Sequence, residues 1–454
     1  MEFLVRLVQV HEAFREAELR ALAELTGIHL EILEYRADSP FCVVRLDSVS
    51  SARALISRAI IAHGIYELWG HGKNYESLHE DVKSRSAHFW KLYETVSFRF
   101  KVESYQGKRS SSEHRQIINS FEYVGFKGPI MMTGADQSFM VFEEYNLTES
   151  KPKNLWFGRL VGKSDREAIT KYDLKKRNYI STTSMDAELA LVTANLALAA
   201  PGKIFFDPFM GTGGFPVACA HYGAHVLGSD IDGRSIRGKG GKQSVLGNFQ
   251  QYHLTSYYVD GWTSDLTNTP LRVRTGQSGR RGTLDGIVCD PPYGVREGLK
   301  VLGRRDGREN DGPVVVDGEL AHNRDGFIFP KRPYSFDAML EDICDFAALM
   351  LVDGGRLSMW MPTANEDDKH LSIPSHPCLF LVSECIQPFN RWSRRLLTYQ
   401  RLKGSDTVEW QPKVREGPNG RAHASDLNEF RKKYFEGFRE FDYNGQPKQK
   451  SRRG

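Results

Sequence analysis

Residues 203–214 read Lys-Ile-Phe-Phe-Asp-Pro-Phe-Met-Gly-Thr-Gly-Gly, and they specify a strand, a turn and the start of a helix. The apolar residues 204–206 predict a buried strand, with Asp207 at its carboxyl end. The glycines that follow let the backbone approach a ligand closely, and residues 215–220 predict a helix whose N-terminus faces the turn. This succession is typical of the first βα unit of a doubly wound α/β sheet.

Further acidic residues follow predicted strands downstream of this turn. Asp230 and Asp232 come after residues 225–229, Asp260 comes after residues 257–259, and Asp290 comes after residues 284–289. Because the carboxyl ends of parallel strands share one edge of a sheet, we expect these acids to lie beside Asp207. An acid about 20 residues beyond a Gly-rich turn holds ribose hydroxyls in nucleoside-binding folds. Asp260 is placed to meet an adenine amino group.

The turn also excludes two classes of nucleotide-binding protein. It lacks the Gly-Lys-Ser/Thr ending of a phosphate loop, which excludes a nucleoside triphosphatase. Asp207-Pro208 replaces the first glycine of a dinucleotide-binding turn, and its carboxylate would repel a pyrophosphate but suits the cationic amino-acid end of S-adenosylmethionine. We therefore predict the following residues as the S-adenosylmethionine site: Asp207, Pro208, Phe209, Gly211, Thr212, Gly213, Asp230, Asp232, Asp260 and Asp290.

The tetrapeptide Asp290-Pro291-Pro292-Tyr293 predicts the reaction, and we take its four residues as catalytic. The exocyclic amine of a nucleobase is a poor nucleophile, so a catalyst must hold both N–H bonds and aim the nitrogen lone pair at a methyl group. Asp290 can accept one N–H, and the carbonyl of Pro291, fixed by two prolines, can accept the other. Tyr293 offers a ring on which an extruded base can stack. The alternative is an ordinary strand-to-loop turn, which the ordered acids upstream disfavour.

The composition is that of a globular protein with more than one domain. Its 454 residues predict two or three domains, and no apolar run approaches the roughly 18 residues of a membrane span. Six scattered cysteines without a Cys-x-x-Cys pair favour reduced thiols and no structural zinc. The net charge is +4, but the segment from Arg391 to the C-terminus holds 16 Lys+Arg against 8 Asp+Glu. Such a segment predicts a contact with a polyanion, although basic tails are often only solvated.

Residues 1–150 are predicted to form two small α/β units. Residues 1–72 follow the order strand, helix, strand, strand, helix, strand, which is ferredoxin-like. Residues 73–150 alternate helices and strands in a second unit. Within it, Lys108 and Arg109 precede a predicted helix, so they and the N–H groups of that helix are candidates for holding a phosphate. A simple capped helix start is the alternative.

The rest of the chain divides into a connector, a catalytic domain and an extension. The connector, residues 151–200, contains a strand, the basic residue Arg177 and a long amphipathic helix. The catalytic domain spans residues 201–403, and its Gly-, Arg- and Asp-rich segment 296–329 predicts a mobile insertion. Near its end Arg391, Arg394 and Arg395 are interleaved with aromatic residues, which suits contacts with phosphates and bases. Residues 404–454 are predicted to be a basic extension.

Segments of the connector and of the catalytic domain resemble one known family. They are Trp156-Phe157-Gly158, residues 172–177, Thr183-Ser184-Met185-Asp186, residues 207–213, residues 230–234 and residues 290–294. By these motifs the chain resembles the catalytic subunit of eukaryotic tRNA guanosine-10 N2-methyltransferase. The resemblance implies a class I, Rossmann-like methyltransferase sheet, preceded by a ferredoxin-like unit and a THUMP domain that grips the acceptor end of tRNA.

The resemblance also implies a cofactor, a substrate and a partner. The cofactor is S-adenosylmethionine, the product is N2-methylguanosine in tRNA, and the partner is a small zinc-binding activator subunit with which the chain forms a cytoplasmic heterodimer outside any membrane. With tRNA as the substrate, the basic residues become candidates for contacts with it: Lys108, Arg109, Arg177, Arg391, Arg394 and Arg395.

Two alternative functions remain open. A DNA methyltransferase acting on adenine N6 or cytosine N4 uses a similar tetrapeptide, and the two N-terminal α/β units favour RNA over this alternative. A non-catalytic RNA-binding protein on a degenerate methyltransferase fold is a different class, which the presence of every strand-end acid disfavours.

Overall fold

The computed structural model of the chain describes residues 1–272, 282–295, 298–303, 315–321, 324, 330–364, 373–389, 392–404, 410 and 428–436. Most of the predicted insertion and of the predicted basic extension lies outside these residues. Within them, no helix combines the length and the apolar character that crossing a membrane requires. All six cysteines are buried, as expected of small apolar side chains. The chain forms two compact units, residues 1–167 and 168–454.

The N-terminal unit is built on a seven-stranded sheet. Its strands are β1 (Glu2–Leu7), β2 (Glu31–Tyr35), β3 (Phe41–Arg45), β4 (Ala62–Gly72), β5 (Phe98–Tyr105), β6 (Gln137–Tyr145) and β7 (Pro152–Lys163). Its helices are α1 (Glu12–Thr26), α2 (Val49–Ile56), α3 (Tyr75–Trp90) and α4 (Ser111–Asn119). The strand order is β2-β3-β1-β4-β7-β6-β5, in which β5 and β6 are parallel and the other neighbours are antiparallel.

Apolar side chains are buried on both faces of this sheet, which explains the continuous apolar run Phe3-Leu4-Val5 in strand β1. In β1, Phe3 and Val5 belong to one core with residues of α1 and α2, whereas Leu4 belongs to a second core. The second core also joins distant parts of the sequence, since the rings of Tyr66 and Phe142 meet edge to face at 4.9 Å. The predicted ferredoxin-like and THUMP units therefore share one sheet and this second core.

Strand β7 differs in position from its prediction. The sequence interpretation placed its residues in the connector, but β7 lies inside the N-terminal sheet, between β4 and β6. It pairs with both neighbours along most of its length, because Leu155, Trp156 and Phe157 are buried there. The domain boundaries at residues 72 and 150 stay a prediction.

The C-terminal unit contains a second seven-stranded sheet. The strands of this unit are β8 (Ile204–Asp207), β9 (His225–Asp230), β10 (Tyr258–Thr263), β11 (Leu284–Cys289), β12 (Lys300–Leu302), β13 (Val315–Val316), β14 (Glu319–Leu320), β15 (Lys331–Pro333), β16 (Leu351–Ala364), β17 (Leu379–Pro388) and β18 (Trp392–Arg401). The helices are α5 (Glu167–Lys171, which starts at the unit boundary), α6 (Ala187–Leu196), α7 (Gly214–His221), α8 (Gly233–Arg237), α9 (Val245–Gln251), α10 (Phe336–Met350) and α11 (Glu429–Glu436).

The order of the second sheet determines where its ligand site lies. The order is β10-β9-β8-β11-β16-β18-β17, with parallel pairs from β10 to β16 and antiparallel pairs from β16 to β17. The parallel strands place their carboxyl ends at one edge, and Asp207, Asp230 and Asp290 stand at the ends of β8, β9 and β11. The predicted class I methyltransferase sheet is confirmed.

Candidate active site

The Gly-rich turn is held by the acid that precedes it. Asp207 is 1% exposed, and its Oδ1 accepts the backbone N–H of Phe209 at 2.9 Å. The turn ends at Gly213, whose φ of 82° is readily adopted by glycine and which is the N-cap of α7. The sequence therefore forms a tight βα turn that leaves the first N–H groups of α7 directed at the sheet edge.

Asp230 connects the second strand to this turn. Its Oδ2 accepts the N–H of Gly211 at 2.9 Å, and its Oδ1 accepts the N–H of Asp232 at 2.8 Å. Asp232 caps α8, and its hydrogen bond with the Arg234 side chain lowers the pKa of Asp232 to about 2. Asp232 is therefore a carboxylate at neutral pH, and both of its oxygens accept hydrogen bonds from the Arg234 side chain.

A cavity of about 840 Å³ opens at this edge of the sheet. The predicted site residues that line it are Asp207, Pro208, Phe209, Gly211, Thr212, Asp230, Asp232, Asp290, Pro291, Pro292, Tyr293 and Arg394. The volume is that of a pocket for a drug-sized ligand. The turn and the tetrapeptide, about 80 residues apart in sequence, thus share one cavity.

Among the described residues that line the cavity, acids outnumber basic residues by six to three. Burial raises the pKa of Asp207 well above its usual range, and the charges of Asp230 and Asp290 raise it further. Burial also raises the pKa of Asp290 to about 6, against the opposing effects of the Tyr293 hydroxyl and of Arg394. A cation bound here would relieve this repulsion, so the donor set fits the sulfonium and ammonium groups of S-adenosylmethionine and would repel a phosphate.

The tetrapeptide forms a compact polar unit after β11. The hydroxyl of Tyr293 donates to Oδ1 of Asp290, and the half-buried ring of Tyr293 meets Trp392 edge to face at 6.3 Å. The guanidinium of Arg394 lies 5.6 Å from the ring centre of Phe389 and 4.8 Å from that of Trp360. Aromatic surface and hydrogen-bond acceptors therefore occur together, as a site for an extruded base requires.

The structure does not place Asp260 in the cavity. Strand β10 continues through Gly261-Trp262-Thr263, so Asp260 pairs with Leu227 inside the strand and is exposed to solvent. The acid that lines the cavity beyond β10 is Asp265, which is 6% exposed. Its Oδ1 accepts the N–H groups of Thr267 and Asn268. A sequence signal for Asp265 exists, because an acid two residues before a threonine often forms a turn after a strand.

Among the basic residues, Arg394 reaches the cavity and Arg395 does not. Successive residues of β18 point to opposite faces, and Arg395 is buried against Glu384 at 2.9 Å and Thr363 at 3.1 Å. Arg177 is also buried, with its guanidinium 5.9 Å from the ring centre of Tyr252, so it cannot meet a tRNA surface. Arg391 lies outside the described residues.

In the N-terminal unit, Arg109 serves the protein's own acids. Its guanidinium pairs with Glu143 at 2.9 Å and with Glu113 at 3.1 Å, and these partners raise the pKa of Arg109. Glu113 also forms a capping box with Ser110, so a carboxylate already occupies the N-terminus of α4. The simple helix start is therefore the better interpretation of this segment, and the exposed Lys108 stays a predicted phosphate contact.

Comparisons with known proteins agree with both halves of the fold. Residues 1–166 match the family described as "Tmrp11 THUMP N-terminal domain", and residues 175–303 match "RMKL-like, methyltransferase domain". The tRNA (guanine(10)-N(2))-methyltransferase of Saccharomyces cerevisiae is 41% identical over 450 residues, which cover 96% of this chain and 99% of that protein. The Homo sapiens tRNA (guanine(10)-N(2))-methyltransferase TRMT11 is 33% identical over 423 residues, which cover 88% of each chain.

Among solved structures, TrmN from Thermus thermophilus is 16% identical and aligns with a TM-score of 0.42, over 88% of this chain and 100% of that chain. The two relatives from Saccharomyces cerevisiae and Homo sapiens align along 99% and 88% of their own length. The chain therefore belongs to the tRNA (guanine(10)-N(2))-methyltransferase family, whose members are S-adenosylmethionine-dependent enzymes.

Proposed function

We propose that this chain transfers a methyl group from S-adenosylmethionine to the N2 amine of guanosine 10 in tRNA. The observation that carries the proposal is that Asp290 and Tyr293 line the same cavity as the Gly-rich turn and its acids. The relatives' activity on guanine 10 of tRNA supplies the base and its position. They also favour guanine over the adenine and cytosine amines that similar tetrapeptides serve.

In the proposed mechanism the acids of the turn hold the cofactor. Asp207 would face its cationic amino-acid end and Asp230 its ribose hydroxyls, with Asp232 and Asp265 beside them in the cavity. When bound, S-adenosylmethionine supplies an electrophilic methyl group. The acids around the cavity lower the free energy of a cation there, which favours the charged cofactor over its neutral product.

The tetrapeptide would hold the base. Asp290 as a carboxylate accepts one N–H of the guanine amine, and the Pro291 carbonyl accepts the other. The Tyr293 hydroxyl, which bonds Asp290 Oδ1, keeps that carboxyl group in one orientation. Because the nitrogen needs its lone pair aligned rather than a strong base, positioning supplies most of the rate acceleration.

Nucleoside mass spectrometry tests the proposal. Unmodified tRNA with guanosine at position 10, incubated with the chain and S-adenosylmethionine, should yield N2-methylguanosine. The same transcript with adenosine at position 10 should yield no methylated nucleoside, and Asp290→Ala should be inactive on both. N6-methyladenosine from the second transcript, or no product from the first with and without a partner subunit, would contradict the proposal.

We also propose that the active form is a heterodimer with a small zinc-binding activator and that it works in the cytoplasm. Strands β10 and β17 are the outer strands of the C-terminal sheet, and they expose Val259 and Phe380, at 57% and 60%, beside edges that can accept a further strand. Co-purification with the activator should be lost on Val259→Glu or on Phe380→Glu, which identifies the edge used. Retention by both variants would exclude strand addition, and fractionation of cells tests the compartment.

A further inference from the structure

The C-terminal helix α11 is bonded to the loop that carries the tetrapeptide. The side-chain amide of Asn428, directly before α11, donates from Nδ2 to the carbonyl oxygen of Tyr293 at 2.9 Å. The guanidinium of Arg431 donates to the carbonyl oxygen of Gly294. Two successive carbonyls of the loop are therefore held by side chains more than 130 residues away in sequence.

Both polar atoms of the Asn428 side-chain amide form hydrogen bonds. It is 3% exposed, and its Oδ1 accepts the N–H of Arg431 at 2.9 Å, which makes it the N-cap of α11. The loop is shaped for this contact, because a Cβ at Gly294 would lie 2.4 Å from Asn428 Nδ2. Gly294 also has a φ of 76°, so both space and backbone conformation call for glycine.

The same helix supplies part of the cavity lining. Phe430 and Tyr434 line the cavity together with Trp392 and Tyr293. The ring of Trp392 lies 5.9 Å from that of Phe430 and 6.1 Å from that of Tyr434, edge to face in both cases. Phe430 is 2% exposed and packs the helix in place, whereas Tyr434 is only partly buried and can be reached from the cavity.

We propose that α11 is part of the active site: Asn428 positions the tetrapeptide through the Tyr293 carbonyl, and Tyr434 contributes an aromatic surface to the purine subsite. This inference rests on the proposed function, since the purine is the guanine to be methylated. Tyr293 in turn bonds Asp290, so a shift of its backbone moves the acceptor of the base amine. Asn428 is therefore a positioning residue, which acts on the reaction through Tyr293.

The substitution Asn428→Asp isolates the contact with the loop. An aspartate keeps the Oδ1 acceptor that caps α11 but loses the donor that bonds Tyr293. In the full chain, in its active form, we expect kcat to fall roughly 10- to 100-fold, because small misplacements of reacting groups have effects of this size. Cofactor affinity in a calorimetric titration should stay within about twofold of wild type. Gly294→Ala, which displaces the contact from the loop side, should lower kcat similarly.

Hydrogen exchange gives a readout that is independent of activity. The backbone N–H groups of the peptide containing Tyr293 and Gly294 should exchange faster in Asn428→Asp than in wild type, while peptides of α7 exchange at the wild-type rate. If Asn428→Asp and Gly294→Ala both keep wild-type kcat and exchange, the positioning role is overturned. An Asn428→Asp variant that loses cofactor affinity as strongly as kcat would also overturn it, since this indicates general disruption of the site.

Tyr434 has its own pair of variants. Tyr434→Ala should raise the KM for tRNA roughly tenfold, as expected for loss of one stacking surface, and Tyr434→Phe should restore it. Wild-type KM in Tyr434→Ala would remove Tyr434 from the base subsite. Failure of the proposed function looks different, because wild-type protein would then leave guanosine 10 unmethylated while hydrogen exchange still reports the Asn428 contact.

Discussion

Buried acids occur in both units of the molecule, but their surroundings differ. In the N-terminal unit Glu67 pairs with Arg159 at 2.9 Å, with each side chain 6% exposed, and the fully buried Glu143 pairs with Arg109. In the C-terminal unit Asp207 is as deeply buried, yet the charged groups that affect its pKa are other acids. The first arrangement neutralises each buried charge within the protein, whereas the second accumulates negative charge.

This difference distinguishes acids that stabilise the fold from acids that bind a ligand. A buried carboxylate with a matched cation holds strands together, and its loss leaves an uncompensated charge. A cluster of carboxylates opposes folding at neutral pH, so it is retained where a cationic ligand completes it. Burial alone therefore does not identify a functional acid in this chain, but the sign of its nearest charges does.

The largest effect should come from the acid that we assign to the base. Asp290→Ala should lower kcat by roughly 10³-fold or more, because it removes an acceptor aligned with the reacting amine. tRNA affinity, measured by filter binding, should change little. The matched control is Asp260→Ala, which alters an exposed acid outside the cavity and should leave kcat and cofactor affinity near wild type.

Two outcomes would count against this assignment. Unchanged turnover in Asp290→Ala would show that its carboxylate does not contact the base. A large loss of cofactor affinity in Asp260→Ala would restore the sequence-based prediction for that residue and remove Asp265 from the proposed site.

Removing the partner of a buried acid in the N-terminal unit should change the stability of the protein rather than its activity. Arg159→Met leaves Glu67 buried without its cation, so we expect the free energy of unfolding to fall by about 3 kcal/mol. The double variant Glu67→Gln with Arg159→Met removes both charges and should recover most of the loss, as measured by urea unfolding followed by circular dichroism. A double variant as unstable as the single one would show that packing, not charge, accounts for the effect.

The pH dependence of activity should report Asp290. Its pKa of about 6 lies above the ordinary value of 3.8, and the carboxylate is the form that accepts an N–H. kcat/KM should therefore rise with pH up to about 6 and then level off, with a roughly tenfold loss one unit below this pKa. Tyr293→Phe removes a hydrogen bond that favours the carboxylate, so its acid limb should move to higher pH. A profile that is flat from pH 5 to pH 8 in wild type would contradict this.

Local sequence patterns were sufficient where the site depends on strand ends. Asp207, Asp230 and Asp290 were predicted to share one sheet edge because each follows an apolar run, and all three line the cavity at the ends of parallel strands. Asp260 was predicted to follow the end of its strand, but it lies inside β10, because pairing with β9 continues to Thr263, which aligns with Asp230. The sequence of residues 257–263 does not by itself show how β10 pairs with β9.

Contacts between residues far apart in sequence could not be predicted. Arg109 looked like a phosphate ligand beside a helix start, but its main partner, Glu143, is 34 residues away. Arg395 looked equivalent to Arg394 until strand β18 directed the two side chains to opposite faces. Asn428 carried no motif at all, because its role depends on a carbonyl 135 residues earlier. Burial and pairing decide such roles, and both are properties of the fold.

The smallest effect, and the one that most directly tests the comparison, is a gain in stability from removing a functional acid. The folded pKa of Asp207 lies above its ordinary 3.8, so the group favours the folded state below that value and loses this contribution as pH rises through the folded pKa. Asp207→Asn keeps an acceptor for the Phe209 N–H and removes the charge. At neutral pH and without cofactor the melting temperature should therefore rise by about 2 °C.

Cofactor affinity should fall in the same variant, and Glu143→Gln in the N-terminal unit should lower the melting temperature. A decrease on Asp207→Asn would mean that its charge is compensated within the protein, as the charges of the N-terminal acids are.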